Sequence, residues 1–594
     1  MAISLLAAGA IVAFTTFPAL AERPRAAKLF PDRTLACVIV PDATEFANRY
    51  KNTSMGRMLR DPQMQPLLNH LYGSAAEAVS KVQEQIGVSL ADLLAIPQGE
   101  LALAVVPQEG SKPPAVAVLL DARDQIEKVR TAMQKGTATI EKAGGKRSEE
   151  DVQGTKVVSI NDAGEKGRTL VYFDRDNTVV VSTTLDLAKQ ILAAWNGEKV
   201  STLADNSRYA SLERSCRVVK GEEPHVIAFV DPIGLIRAGG QGHPSAQMAL
   251  AILPTLGLDG LAAAGFAWTL DAGQFDAVSQ LHVLLDNPRG GALDVLALEP
   301  CPTKPEPWVP ADVGSYLTLR DRVDKSYAQI AKLVDSLQGE GFLAKNIERR
   351  FSEPWGIDIL KELLPNLEGR ITHFTWLETP VTPTSQASVW AAKLKDAEVI
   401  KKALERVQAK NEKMVVKKSF GGKEYYQIEI PSRMPPPSAP ASPGGATPSN
   451  PPPMPKPCFG VLDGYVIFAD RPSIYEKAIA SIEKPDDALA NALDYKLVMS
   501  RIARRSGSAK PVLVAFSRPE QGLRLLYELA NSSEQRGRML GPNNPTAKML
   551  DATLNANPLP PFSVIERYFA PTGAMLLDDE TGLHYISFEL RRTN

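Results

Sequence analysis

The chain repeats itself. Pro224-His-Val-Ile-Ala-Phe-Val-Asp-Pro232 recurs as Pro511-Val-Leu-Val-Ala-Phe-Ser-Arg-Pro519, and Gly87-Val-Ser-Leu-Ala-Asp-Leu-Leu-Ala-Ile-Pro97 returns as Gly356-Ile-Asp-Ile-Leu-Lys-Glu-Leu-Leu-Pro365. The echoes keep their order, so the sequence predicts two tandem homologous units, over residues 29–298 and 308–594. The length agrees, because 594 residues exceed what one hydrophobic core normally organises. A duplicated chain carries its own control: chemistry common to both units leaves matching polar residues. Here the shared positions are mostly apolar residues and turns.

Each unit opens with a strand-like run and then helical sequence, at 33–40 and 41–96 in the first and at 313–319 and 320–364 in the second. Strand pairs follow at 100–106 with 115–120, and at 370–377 with 387–392. A charged amphipathic helix succeeds each pair, at 124–133 and 396–407. Among the shorter strands beyond, Asp176-Asn177 and Asp463-Gly464 mark tight hairpin turns, whose two central residues need positive φ. Those aspartates therefore read as structural. Long closing strands lie at 261–270 with 275–285, and at 574–577 with 583–590. Hairpin-linked strands with helices between the groups give an α+β fold: in each unit a largely antiparallel curved sheet with helices packed on one face.

Residues 299–307 form a short, stiff, proline-rich connector between the units. The longer Pro/Ser/Gly-rich stretch at 431–457 cannot bury a core, and it falls where the first unit has only a short loop. It reads as a disordered loop inserted in the second unit, not as the linker.

Residues 1–21 have the pattern of an export signal, with an apolar run over 3–14 before Ala19-Leu20-Ala21, small residues of the kind a signal peptidase reads. No basic residue precedes the run, which leaves a short membrane anchor or an upstream start as alternatives. The run is short for a bilayer span, so the expectation is a cleaved signal and an exported chain, periplasmic or extracellular. No later segment is apolar enough to cross a membrane. The formal net charge of −1 gives no reason to expect a nucleic-acid partner, and Arg501, Arg504 and Arg505 read as a solvated helix face.

Chemistry leaves few marks. There is no P-loop, GxGxxG, HExxH, GxSxG or EF-hand spacing, and no cofactor or metal site is implied. Cys37, Cys216, Cys301 and Cys458 are scattered; one or two disulfides and isolated buried thiols both fit them. One histidine pair stands out. His282 in Gln280-Leu-His-Val-Leu284 and His584 in Gly582-Leu-His-Tyr-Ile586 fall at matching places in the closing strands. A repeated general base or ligand is one reading; the alternation around them favours polar residues on the solvent face of a strand. His225 is replaced by Val512 in the other unit, and Asp231 by Arg518, so neither is shared chemistry. Pro232 and Pro519 instead suit the first turn of a following helix. The tryptophans read as core or domain-interface residues.

Leu29-Phe-Pro-Asp-Arg-Thr-Leu-Ala, Ser54-Met-Gly-Arg-Met-Leu-Arg-Asp-Pro62 and the second opening, Trp308-Val-Pro-Ala-Asp-Val-Gly-Ser-Tyr316, carry a resemblance. The chain resembles a family of uncharacterised exported proteins of planctomycete-type bacteria with a domain of unknown function. The resemblance implies export and supplies no catalytic residues; the second unit lacks the Met-Leu-Arg-Asp-Pro segment. The functional expectation is a non-catalytic envelope protein with a binding or structural role, its partner an envelope protein or an apolar small molecule. A carrier of an apolar ligand such as a lipid is the alternative. A hydrolase active in one unit is the third reading, resting on a single-copy group such as His225.

Overall fold

The computed structural model describes residues 23–78, 95–110, 112–161, 169–217, 223–240, 244–295, 297–382, 384–429, 456–532, 536 and 544–592. The expected signal at 1–21 lies outside them, as do residues 431–455 of the low-complexity stretch.

Period-two alternation of apolar residues generates most of the strands. In the N-terminal half these are β1 (Ala36–Val40), β2 (Leu101–Val106), β3 (Ala115–Asp121), β4 (Lys146–Val152), β5 (Thr155–Asn161), β6 (Thr169–Arg175), β7 (Thr178–Ser182), β8 (Val226–Val230), β9 (Leu261–Ala272) and β10 (Phe275–Leu285). After the short β11 (Leu298–Glu299) come β12 (Ser315–Asp321), β13 (Leu367–Leu377), β14 (Gln386–Leu394), β15 (Val415–Phe420), β16 (Lys423–Ile428) and β17 (Cys458–Leu462). The last four are β18 (Tyr465–Ala469), β19 (Leu513–Ser517), β20 (Thr572–Asp579) and β21 (Gly582–Leu590).

All pairings are antiparallel, and the strands form one sheet. In the first half the spatial order is β4-β5-β6-β7-β3-β2-β1-β8-β9-β10. From the junction outward the second half runs β21-β20-β19-β12-β13-β14-β18-β17-β16-β15. The halves join because β10 pairs with β21 along its length, from Phe275 opposite Leu590 to Leu284 opposite Gly582. The α+β class is thus realised as one continuous sheet. The proline-rich connector does not hold the halves together alone: β11 pairs with the end of β12, and the Cys301 amide donates to the Pro511 carbonyl.

One sheet face carries the main cores. In the helix Leu185–Trp195, capped by the Thr184 side chain, Leu187, Ala188, Ile191, Leu192 and Trp195 recur at helical spacing and are buried. They pack with Cys37, Ile39, Ala104, Ala117, Leu119 and Val180. In the second half Ile474, Tyr475, Ala478 and Ile479 of the helix Pro472–Glu483, with Tyr495, Val498 and Ile502 of Leu493–Ser506, cover Tyr316, Phe374, Val389, Ile467 and Phe516.

Helices on one face only, the expectation, is corrected. The helix Ile126–Lys142 packs Ile126 and Val129 on Val179, and Val179 points away from the core that holds its neighbour Val180. The helix Ala397–Lys410 likewise packs Ile400 and Leu404 with Leu394 and Val466, opposite Ile467. Alternation fixes that neighbours point to opposite faces but leaves open which helix covers which face. Asp176, Asn177 and Asp463 take the positive φ expected of their hairpin turns.

Candidate functional site

His282 and His584 meet. They are register partners across the β10–β21 junction, and their rings stack with centroids 4.9 Å apart and planes 12° from parallel. They are 2% and 7% exposed, so the solvent-face reading is corrected: both lie on the core side of the sheet. The Thr581 hydroxyl donates to Asp579 Oδ1 at 2.6 Å and lies 3.1 Å from His282 Nε2. Having spent its proton on Asp579, that hydroxyl accepts from His282, which fixes the proton on Nε2. His282 Nδ1 and His584 Nε2 are buried without a hydrogen-bond partner. Burial lowers both pKa values, partly offset by Asp579; for His584 the neighbouring His282 adds to the effect and the value falls to about 4. A stacked, buried, neutral pair offers little for substrate chemistry.

The other residues singled out in the sequence take structural places. Asp231 caps the helix Pro232–Gly239, accepting from the Gly234 amide at 2.7 Å, with Pro232 in the first turn. Arg518 instead makes two hydrogen bonds to the Asp494 carboxylate, at 2.7 and 3.0 Å. His225 is buried and its Nδ1 accepts from the Leu270 amide. Arg505 departs from the expected solvated face: its guanidinium lies 4.5 Å from the Phe275 ring centre. All four cysteines are free and buried, and burial raises their thiol pKa values to about 11 or 12. Trp308 and Trp195 are core residues as expected, whereas Trp390 is exposed on the sheet.

The feature that sequence reasoning missed is the opposite face. Following register partners strand by strand, one row runs Val181, Val118, Leu103, Val38, Ala228 and Phe266. It crosses the junction at Leu281 and Tyr585 and continues Leu576, Leu513, Leu319, Ile371, Ala392 and Val466. Fourteen strands contribute one residue each, all apolar or aromatic and none buried. Leu103, Val38, Leu281 and Tyr585 are between 38% and 45% exposed. At about 4.8 Å per strand the row is about 60 Å long. The row two residues further along each strand holds Trp268, Leu317, Trp390 and Phe468, the last two also exposed. The two ends of the row lie under helices, Val181 beside Ile126–Lys142 and Val466 beside Ala397–Lys410; natural sheets seldom leave a surface such as the stretch between them bare without a ligand or partner for it.

Nearby helices share this character. No residue of Ala43–Asn52 or Pro519–Asn531 is buried, although both are amphipathic. Phe46 of the first meets Trp268 in a T-shaped contact, with centroids 6.1 Å apart. Leu526 of the second is exposed.

Among the described residues no group of His, Cys, Asp and Glu could hold a metal ion, and no helix is long and apolar enough to cross a membrane. Comparison with protein-family models, with curated proteins and with solved structures finds no match.

Proposed function

We propose that this is an exported, non-catalytic binding protein of the cell envelope whose ligand is an elongated apolar chain, such as the acyl chain of a lipid. The uninterrupted apolar row, with its most exposed members at Leu103, Val38, Leu281 and Tyr585, is the observation that carries the reading. An acyl chain laid across the strands replaces water over apolar surface at about 25 cal/mol per Å² removed. The row continues through the β10–β21 junction, so one site draws on both halves. The matching strand orders of the halves support descent of both from one duplicated unit, as the repeated motifs suggest. Export rests on the signal-like residues 1–21, and the resemblance to planctomycete-type exported proteins agrees with it.

Native mass spectrometry of gently purified protein tests the reading, with a Val38→Asp/Leu103→Asp variant as control. The expected result is a co-purified apolar mass on the wild-type chain that is lost from the variant. The two introduced carboxylates face each other across β1 and β2, so the circular dichroism spectrum and melting temperature of the variant are checked alongside to confirm that it is folded. A wild-type chain that neither carries nor takes up a fluorescent fatty acid would sink the proposal.

A further inference from the structure

The open face ends, beside Trp268, in a cavity of about 270 Å³. Its walls come from Tyr50 and Met55, from Trp268 and Asp276, and from Phe569 and Glu589. Two carboxylates and three aromatic rings face it, and no lysine, arginine or histidine is among its lining residues. Asp276 reaches it through a β-bulge between Phe275 and Ala277, which re-aims a side chain that regular pairing would send elsewhere. Asp276 is 1% exposed; Oδ2 accepts from the Ser54 amide at 2.6 Å, while Oδ1 accepts no hydrogen bond. The nearest cation to Oδ1 is Arg57, its Nη2 3.9 Å away, outside the lining. Glu589 is exposed and makes no ion pair among the described residues. Counting Arg57 against Asp276, the cavity keeps one uncompensated negative charge.

We infer that this cavity binds the ammonium head of a cationic amphiphile whose apolar tail runs onto the open face. Trp268, Tyr50 and Phe569 supply aromatic lining for an ammonium, primary or quaternary, and Glu589 supplies the counter-charge. Trp268 lies two residues along β9 from Phe266 of the apolar row, so head and tail sites are contiguous. The inference rests on the apolar-ligand reading for the tail but not for the head.

Isothermal titration calorimetry on the full chain separates the two, using decyltrimethylammonium and decyl maltoside below their micellar concentrations. The wild type is expected to prefer the ammonium head by about tenfold, and Glu589→Gln to abolish that preference while leaving decyl maltoside affinity unchanged. Equal affinity for both heads, or a preference that survives Glu589→Gln, overturns the head site and leaves the apolar reading standing. Failure of both amphiphiles to bind overturns both.

Discussion

His282 stacks on His584 across the strand junction, with ring centres 4.9 Å apart and neither side chain more than 7% exposed. Two imidazoles in this arrangement tolerate each other only when neutral. A second proton on His282 would sit on a buried Nδ1 with no acceptor, and two imidazolium rings at this separation would repel.

The junction is therefore acid-sensitive. Both pKa values are lowered in the folded state, so between about pH 6.5 and 4 the unfolded chain binds more protons than the folded one. The stabilisation is complete above the unfolded value and is lost as pH falls toward the folded one. Urea denaturation at pH 7.5 and 4.5 should show the wild type losing on the order of 2 kcal/mol more than His584→Phe, which keeps the ring and removes the titration. Equal losses would show that the pair does not titrate in this window.

Gly582 opens β21 with φ of 143°, a conformation that side-chain-bearing residues rarely adopt. A Cβ there would also run into the Val283 carbonyl oxygen on the facing strand. Gly582→Ala should cost about 2 kcal/mol or more, read as a lower melting temperature. A variant that melts with the wild type would mean the strand end moves without cost.

Glu306, at the end of the proline-rich connector, is 2% exposed and pairs with Arg370 at 2.9 Å. It also accepts from the Thr372 hydroxyl at 2.6 Å and the Tyr316 hydroxyl at 3.1 Å. Glu306→Ala leaves the largely buried guanidinium of Arg370 without this partner and should destabilise by about 3–5 kcal/mol in chemical denaturation. Adding Arg370→Met should recover part of the loss, because no unpaired charge then remains. A double variant weaker than the single one would contradict that explanation.

The outermost strands carry charges where a bare edge would recruit another chain. β4 reads Lys-Arg-Ser-Glu-Glu-Asp-Val, β15 holds Lys417 and Lys418, and each pairs on one side only among the described strands. Lys417→Val with Lys418→Val should cause concentration-dependent association detectable by light scattering. A variant that stays monodisperse at high concentration would assign edge protection to other features.

Those same charges explain why β4 and β15 escaped the sequence reading: their alternation is polar throughout or broken. Hairpin turns were legible because Asp176-Asn177 and Asp463-Gly464 need positive φ whatever surrounds them. The repeated Ala-Phe strands were legible too. Tyr209 sets its ring on Phe229 and Tyr495 on Phe516, with centroids 5.8 and 5.3 Å apart. The candidate site was legible only in part. His282 and His584 were visible as a matched pair, but not that they touch.

Local chemistry, then, was determined by sequence alone: where strands and helices form, which dipeptides turn, and which side chains share a face. Only the tertiary structure decided that β10 pairs with β21, which buries the histidines together and carries the apolar row from Leu281 to Tyr585. The reason is that a period of two says which residues alternate, not which face the helices will cover. An exposed leucine and a core leucine have the same place in such a pattern. Partners some 300 residues apart in sequence, brought together by folding, tell them apart.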